Sequence, residues 1–522
     1  MQEPSAQTAS AEAMSPLPTT ANVAPAAPVW VDPSDRFTHV ERRNIIVGLM
    51  LSILLGGLDQ TIVAVALPRM AQDFNGFSLI AWVVSGYLIA STVVTPIYGK
   101  LGDLFGRRQL LSIAIVVFLV ASVFCALAQS MPQLILARVL QGLGGGGLIS
   151  ISQTIIADVV PLRERGRYQG YISGVYAVAS VAGPVVGGLL THYLNWHWIF
   201  WINLPLGAAA FLVSRRALKA LPIAGIRRRI DYLGALLLVI GLTALLIPIT
   251  RIGQGIAWND AANLELFAVA VVILGLFMFH ETRTPEPIIP INLFRIPVVA
   301  ASCGILFLSF FQLVSLASLS PLRFQLVAGV TADNAALRLL PLTFMIPLGA
   351  FISGRLMLRS GRTKPQQVIG TAFVPLGLLG LAFVSPVHAI ATGALMTLVG
   401  LSIGVVMPSS LVAVQNAVPR NQLGVATAGT AFSRSLGGAI GVAMLSAILL
   451  AAIHGNGDEL RPVTGEGAVS APGEASAVSA RTAEDVDAAF QRLFLIAAAV
   501  SSLAFVLALS VPDHRLDGPA KP

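Results

Sequence analysis

The chain is poor in charge: only 11% of its 522 residues are Asp, Glu, Lys or Arg, less than half the share of about 25% usual in soluble domains. Too few charged groups are present to clothe a water-exposed surface, which excludes a soluble globular protein. A mean hydropathy of +0.80 excludes a disordered or fibrous chain as well. Cysteine is nearly absent. Cys125 and Cys303 both lie in apolar runs, so neither a disulfide framework nor a thiolate zinc site is available, and the redox compartment stays open. The sequence also lacks a phosphate-binding P-loop, an HExxH or GxSxG motif and a pair of acids within one apolar run. Nucleotide hydrolysis and metal- or serine-based hydrolysis therefore have no residues to run on. No cofactor is expected.

Apolar residues make up 55% of the chain, and they come in runs. A hydrocarbon core about 30 Å thick needs roughly 20 helical residues. Fourteen runs of that order can be marked off: 44–66, 79–98, 109–128, 132–155, 168–190, 198–213, 230–250, 262–280, 296–318, 335–353, 366–386, 388–412, 423–452 and 487–511. The 33 Lys and Arg outnumber the 25 Asp and Glu, but they form no single patch, which argues against nucleic acid as a partner. They recur between the runs as cytoplasmic loops do under the positive-inside rule. Arg42 and Arg43 before the first run place the amino terminus in the cytoplasm, and an even number of spans places the carboxyl terminus there too.

On that topology the clusters Lys100, Arg107, Arg108; Arg163, Arg165, Arg167; Arg215, Arg216, Lys219, Arg227, Arg228, Arg229; and Arg355, Arg359, Arg362, Lys364 all face inward. Arg69, Arg251, Arg461 and Arg481 are the outer exceptions. Residues 1–43, rich in Ala, Pro, Ser and Thr, are expected to form a disordered cytoplasmic tail, without the basic start and apolar stretch of a secretory signal. Residues 454–485 are expected to be a flexible outer loop and 512–522 a second cytoplasmic tail.

Two inner loops repeat. Gly99-Lys100-Leu101 followed by Gly106-Arg107 recurs as Gly354-Arg355-Leu356 followed by Gly361-Arg362, with the same internal spacing. This register divides the chain into an amino-terminal six-helix bundle (44–220), two additional helices (221–285) and a carboxyl-terminal six-helix bundle (286–511).

Charges inside the spans carry the chemistry. Asp59 sits beyond the middle of the first run, where an ionised carboxylate is costly unless paired, hydrated or protonated. A nearby cation opposes the effect of burial, and a group balanced between the two can take up and release a proton. A structural hydrogen bond to a neighbouring helix is the plainer alternative. Arg138, early in the fourth run, should turn its guanidinium into the protein, either toward Asp59 or onto backbone carbonyls. Gly142, Gly144 and Gly147 spell GxGxxG, but with no preceding strand they suit close helix contact better than a dinucleotide. Gly183, Pro184, Gly187 and Gly188 likewise suit close packing and a bend. Asp103 with Lys100, Arg107 and Arg108 makes a charged inner loop, hinged by Gly99, Gly102 and Gly106, that is either a conformational latch or ordinary topogenic charge. The repeat copy has Leu358 at the register of Asp103, so a latch would be asymmetric. Gln60, Trp82, Gln141 and Gln312 are candidates for a substrate cavity or for helix packing. Arg323 and Arg338, near outer span ends, are compatible with anion contact or with snorkelling. Beyond Asp59 no second buried acid stands out, which favours neutral, anionic or singly charged lipophilic substrates over dications.

Taken together, Leu58-Asp59-Gln60-Thr61-Ile62-Val63 through Ala66-Leu67-Pro68, Gly99-Lys100-Leu101-Gly102-Asp103 through Gly106-Arg107-Arg108, Arg138-Val139-Leu140-Gln141-Gly142, Gly183-Pro184-Val185-Val186-Gly187-Gly188, and Trp196-His197-Trp198-Ile199-Phe200 with Asn203-Leu204-Pro205-Leu206-Gly207 resemble the motifs of major facilitator superfamily transporters, in the fourteen-helix drug:proton antiporter group. The resemblance implies an all-α membrane fold arranged as 6+2+6 helices. It implies exchange of incoming protons for outgoing amphipathic small molecules across the lipid bilayer of a bacterial inner membrane, with Asp59 and Arg138 in proton coupling. It permits a periplasmic adaptor protein and an outer-membrane channel as partners. A dedicated exporter of one siderophore, lipid or antibiotic is the alternative within transport; an intramembrane enzyme or sensor is the alternative outside it.

Overall fold

The computed structural model describes residues 38–161, 164–220, 230–454 and 480–513. Residues 1–37 and 514–522 of the two expected tails, most of the expected outer loop, and Arg163, Arg227, Arg228, Arg229 and Arg461 lie outside the described residues. Residues 39–43 and 480–485, expected in the tail and the loop, are instead helical, because the helices His39–Asp73 and Ala480–Ser510 extend past their apolar runs. Those described are helical, with no strand among them. Among the described residues fourteen segments are long and apolar enough to cross a membrane: α1 Val40–Asp73, α2 Ile80–Phe105, α3 Arg107–Ala126, α4 Met131–Val159, α5 Arg165–Tyr193, α6 Trp198–Ala217, α7 Tyr232–Gly253, α8 Ala261–Glu281, α9 Pro297–Ala328, α10 Asn334–Ser360, α11 Lys364–Phe383, α12 Ala389–Ala417, α13 Leu423–Leu449 and α14 Glu484–Ser510. A backbone in hydrocarbon has no water to bond, so helices that satisfy their own N–H and C=O groups are forced on such runs. Local signals fix several starts. Before α1, Thr38 and Glu41 form a reciprocal capping box: the Glu41 N–H reaches Thr38 Oγ1 at 3.3 Å and the Thr38 N–H reaches the Glu41 carboxylate at 2.9 Å. Asp231 caps α7 by accepting the Gly234 N–H at 2.9 Å.

The helices assemble as 6+2+6. In the first six, α1 packs on α5 and α6, while α4 lies against both α2 and α3. In the last six, α9 packs on α13 and α14, and α12 on α10 and α11. Helices α7 and α8 pair with each other, α7 reaching α2 and α13. The apolar side chains Val271, Val272 and Phe279 of α8 stay exposed, as suits a surface against lipid. Without a hydrophobic drive between helices in lipid, close backbone approach through small residues does the work. The glycine set of α4 shows this: a side-chain carbon at Gly142 would strike the Tyr87 carbonyl of α2, and one at Gly144 would fall 2.6 Å from the Phe118 nitrogen of α3. The GxGxxG spacing is a packing surface.

The repeated loops land in equivalent places. Gly106, at φ +90°, turns α2 into α3, and Gly361, at φ +62°, ends α10; both backbones are ones that a side chain would strain. About two turns before each, Gly99 abuts Gly424 and Ala428 of α13, and Gly354 abuts Gly166 of α5. The two halves thus meet through α2 on α13 and α5 on α10, at the end of the bundle that bears the repeated basic loops. That end is closed.

Gly142→Ala should lower the thermal stability of the detergent-purified protein by about 1–3 kcal/mol, an overpacking cost. Gly174→Ala, where added atoms meet nothing within 4 Å, should be neutral or slightly stabilising. Equal melting of the two variants would refute the packing role given to the α4 glycines.

Candidate functional site

Asp59 and Arg138 meet directly. The carboxylate is 0% exposed and the guanidinium side chain 1%, and Arg138 Nη1 donates to Asp59 Oδ2 at 2.6 Å. Around the pair, the Gln141 side-chain amide donates to Asp59 Oδ1 at 2.9 Å and to Ser122 Oγ at 2.8 Å. Asn203 Nδ2 donates to the same Asp59 oxygen at 2.9 Å and to Ser122 Oγ at 3.3 Å. Arg138 further donates from Nη1 to Gln141 Oε1 at 2.6 Å and from Nε to the Val83 carbonyl at 3.2 Å, while its guanidinium lies 4.4 Å from the Tyr87 ring centroid. Both alternatives for Arg138, acid partner and carbonyl partner, therefore hold at once.

Five helices bring these groups together. Asp59 comes from α1, Val83 and Tyr87 from α2, Ser122 from α3, Arg138 and Gln141 from α4, and Asn203 from α6. Each polar residue is buried, and low polarity makes every charge-assisted bond here both strong and costly to break. Asn203 Oδ1 is left without a partner, an acceptor held beside the carboxylate. Spacing gave Gln141 three residues after Arg138, on the same helix face, but nothing in the sequence tied Ser122 or Asn203 to Asp59.

The other expected residues divide. Gln60 and Trp82 are half-buried and outside the carboxylate network. Gln312 is buried in the second half, donating to the Ala497 carbonyl at 2.9 Å, a helix-packing bond. Gly183 and Gly187 lie against Thr61 and Ile62 of α1, and Thr61 Oγ1 donates to the Ala179 carbonyl at 2.9 Å. Pro184 is exposed on the opposite face, and Gly188 meets nothing within 4 Å.

In the charged loop, Asp103 accepts from Arg107 at 2.9 Å and from the backbone N–H groups of Gly424 and Val425 at 3.1 and 3.2 Å. An acid from one half thus caps the first turn of α13 in the other. Arg107 also pairs with Asp158 of α4, and Lys100 pairs with Glu286 at 2.8 Å. Gly102 has only Arg107 as a neighbour across the turn. Arg108 stands apart, lining a cleft of about 580 Å³ with Phe211 and Arg215. Among the described residues no cluster of His, Cys, Asp and Glu could hold a metal ion.

Two expectations need correction. Asp59 is not the only buried acid: the Asp103 side chain is 5% exposed and Glu281 is buried, because helix packing at the span ends covers groups that hydropathy alone leaves at the water boundary. Arg323 neither snorkels nor stands ready for an anion. It is buried, donating to Asp487 at 2.9 Å and to the Leu381 and Val384 carbonyls at 2.6 and 3.2 Å. Arg338 is likewise engaged, at 2.6 Å from the Pro386 carbonyl.

Residues 49–442 match the Major Facilitator Superfamily. The chain belongs to that family of transporters. It is 35% identical over 491 residues to an uncharacterized MFS-type transporter of Mycobacterium tuberculosis, covering 91% of this chain and 70% of that one. It is 32% identical over 410 residues to the multidrug transporter protein MdtP of Bacillus subtilis, covering 78% of this chain and 75% of the relative. The fold superposes on the crystal structure of the human organic anion transporter MFSD10 (TETRAN) with a TM-score of 0.64 at 14% identity, over 90% of this chain and 99% of the other.

Removing one partner of a sealed ion pair leaves a bare charge, at a cost of about 3–5 kcal/mol. Arg138→Ala should accordingly melt well below wild type, whereas the double variant Asp59→Asn with Arg138→Gln should recover much of that loss. A double variant no more stable than Arg138→Ala would contradict the pairing.

Proposed function

We propose that this transporter is a proton-coupled antiporter that exports amphipathic small molecules across a bacterial inner membrane by alternating access, with both termini in the cytoplasm. The observation that carries the reading is the Asp59–Arg138 pair, sealed from water and bound by donors from two further side chains, Gln141 and Asn203. Such a carboxylate exchanges protons only when the structure moves. Protonation would remove the charge that holds Arg138, Gln141 and Asn203, and the Asn203 amide, turned end for end, can present its unpartnered oxygen to a protonated acid. Each protonation state would then have its own satisfied arrangement.

A route from this site to the closed end runs through packed helices. Helix α1 carries Asp59 and is seated on Gly183 and Gly187 of α5; α5 carries Gly166, which seals against Gly354 of α10. Release of α1 would bias α5 and so that seal. Asp103, holding the start of α13, supplies the second contact to be broken and remade. The kinship with MdtP, a protein named as a multidrug transporter, supports the substrate range.

The energetics suffice. A membrane potential of about 120 mV supplies roughly 2.8 kcal/mol per proton, and half a pH unit adds about 0.7 kcal/mol. At tenfold per 1.4 kcal/mol, one proton sustains a gradient of a few hundredfold in a neutral substrate.

In proteoliposomes with an imposed pH gradient, wild type should accumulate members of a diverse amphipathic panel, and an uncoupler should abolish this. Asp59→Asn, which keeps a carbonyl acceptor for Arg138, should fold yet lose uphill transport; retained uphill transport in that variant would defeat the coupling role. A single substrate in the panel would point instead to a dedicated exporter. Asp103→Asn should weaken the closed end, seen as a wider distribution of spin-label distances between the ends of α2 and α13. An unchanged distribution reduces the loop to topogenic charge.

A further inference from the structure

Among the arginines within or beside the membrane-crossing segments away from the basic loops, three buried or half-buried ones are spoken for. Arg138 holds Asp59, Arg323 holds Asp487 and two carbonyls, and Arg338 holds the Pro386 carbonyl. Arg434 differs from these three. It stands eleven residues beyond Leu423 in α13, about 16 Å along the helix from the basic end at 1.5 Å per residue. That is mid-bilayer depth.

No carboxylate among the described residues pairs with Arg434, and no hydrogen bond from its guanidinium is found there. Its side chain is half-buried, and its nitrogens are not among the sealed polar atoms that lack partners. The guanidinium therefore fronts open space. What surrounds it is aromatic. The Phe310 ring of α9 lies with its centroid 5.4 Å from the guanidinium carbon, and the Tyr176 phenol of α5 lies within electrostatic reach of it. Tyr176 is eleven residues beyond Arg165 and Phe310 thirteen beyond Pro297, so the three residues share one depth, at the seam between the halves. The Tyr176 ring in turn rests 3.4 Å from the position a side chain would take at Gly57, two residues before Asp59.

A cation kept at the centre of a membrane protein without a counter-charge is costly, and such residues mark the paths of charged substrates. We infer that Arg434 binds the acidic group of an amphipathic organic anion, with Phe310 and Tyr176 flanking the ligand at the seam between the halves. A carboxylate or sulfonate there would accept the paired N–H groups of the guanidinium, which match its geometry. The apolar body of the ligand would lie against Phe310, and the phenol of Tyr176 would supply a further donor. The site uses two residues of the second half and one of the first, Tyr176, which rests beside the Asp59 helix, so occupancy would be felt by the element that carries the proton. This assigns a substrate class within the export reading and rests on it; Arg434 is the specificity-determining residue.

The test is binding in lipid nanodiscs by calorimetry, with 2-naphthoate and its uncharged isostere 2-naphthamide as probes and empty nanodiscs as the blank. Wild type should bind the carboxylate about tenfold or more tightly than the amide, as a desolvated charge-assisted pair provides. Arg434→Gln should lose that preference, Arg434→Lys should keep part of it, and Tyr176→Phe should weaken the carboxylate alone. Wild type without a preference, or Arg434→Gln with the preference intact, overturns the assignment. Should Arg434→Gln fail to fold, the wild-type preference and its reduction in Arg434→Lys decide the matter, and an undiminished preference in Arg434→Lys together with Tyr176→Phe counts against the site. Proton-driven flux in proteoliposomes is scored separately. Binding of naphthoate without proton-driven movement of any amphipath would sink the export reading and leave the anion site standing, whereas proton-driven export with no carboxylate preference would do the reverse.

Discussion

An ion pair closed off from water inside a membrane is stable only while both charges stay matched and every remaining donor and acceptor is met. Asp59 and Arg138 satisfy that condition through Gln141, Ser122 and Asn203, drawn from helices that hydropathy alone would leave free to slide and rotate. The requirement fixes the mutual rotation of α1, α3, α4 and α6 at one depth, which generic apolar surfaces cannot do. The glycines of α4 serve the same end. They let α2 and α3 approach closely enough for Tyr87 to lie against Arg138 and for Ser122 to hold Gln141 and Asn203.

That local constraint reaches the rest of the molecule because α1 is not isolated. Thr61 and Ile62 sit on Gly183 and Gly187, binding α1 to α5, and α5 bears one of the two glycine contacts that close the basic end. The other closure differs in kind. Where Gly166 and Gly354 meet as bare backbone, Asp103 adds a carboxylate on the first turn of α13, and Leu358 at the equivalent position cannot. The internal repeat thus builds two similar contacts with different chemistry, one set by shape and one by charge. The seam they close also holds Arg434, which has aromatic neighbours but no carboxylate partner among the described residues, in contrast with the full engagement of Arg138 and Arg323.

Much of the fold was legible in the chain before any coordinates. The fourteen spans follow from the one demand that bilayer hydrocarbon makes on a backbone, and the Gly99 and Gly354 copies announced two related halves because a reverse turn between helices needs the left-handed conformation at Gly106 and Gly361. Asp59 and Arg138 stood out for the cost of charge in an apolar run. Asn203 and Ser122 gave no such signal, since uncharged polar residues are common in membrane helices and most bond their own backbone. Arg434 did carry the signal, as a lone charge inside the 423–452 run, but a reading built on clusters of basic residues passes over a single one.

The sequence by itself determined which segments cross the membrane and which residues are too costly to be there without a use, because both follow from transfer free energies that act residue by residue. Only the tertiary structure decided who meets whom: that Arg138 faces Asp59 while Arg323 is consumed by Asp487, that Asp103 reaches the other half, and that Arg434 meets no acid among the described residues. Those pairings depend on the rotation and depth of helices up to several hundred residues apart. Such rotations are set by packing summed over many small contacts, and no single position in the chain encodes them.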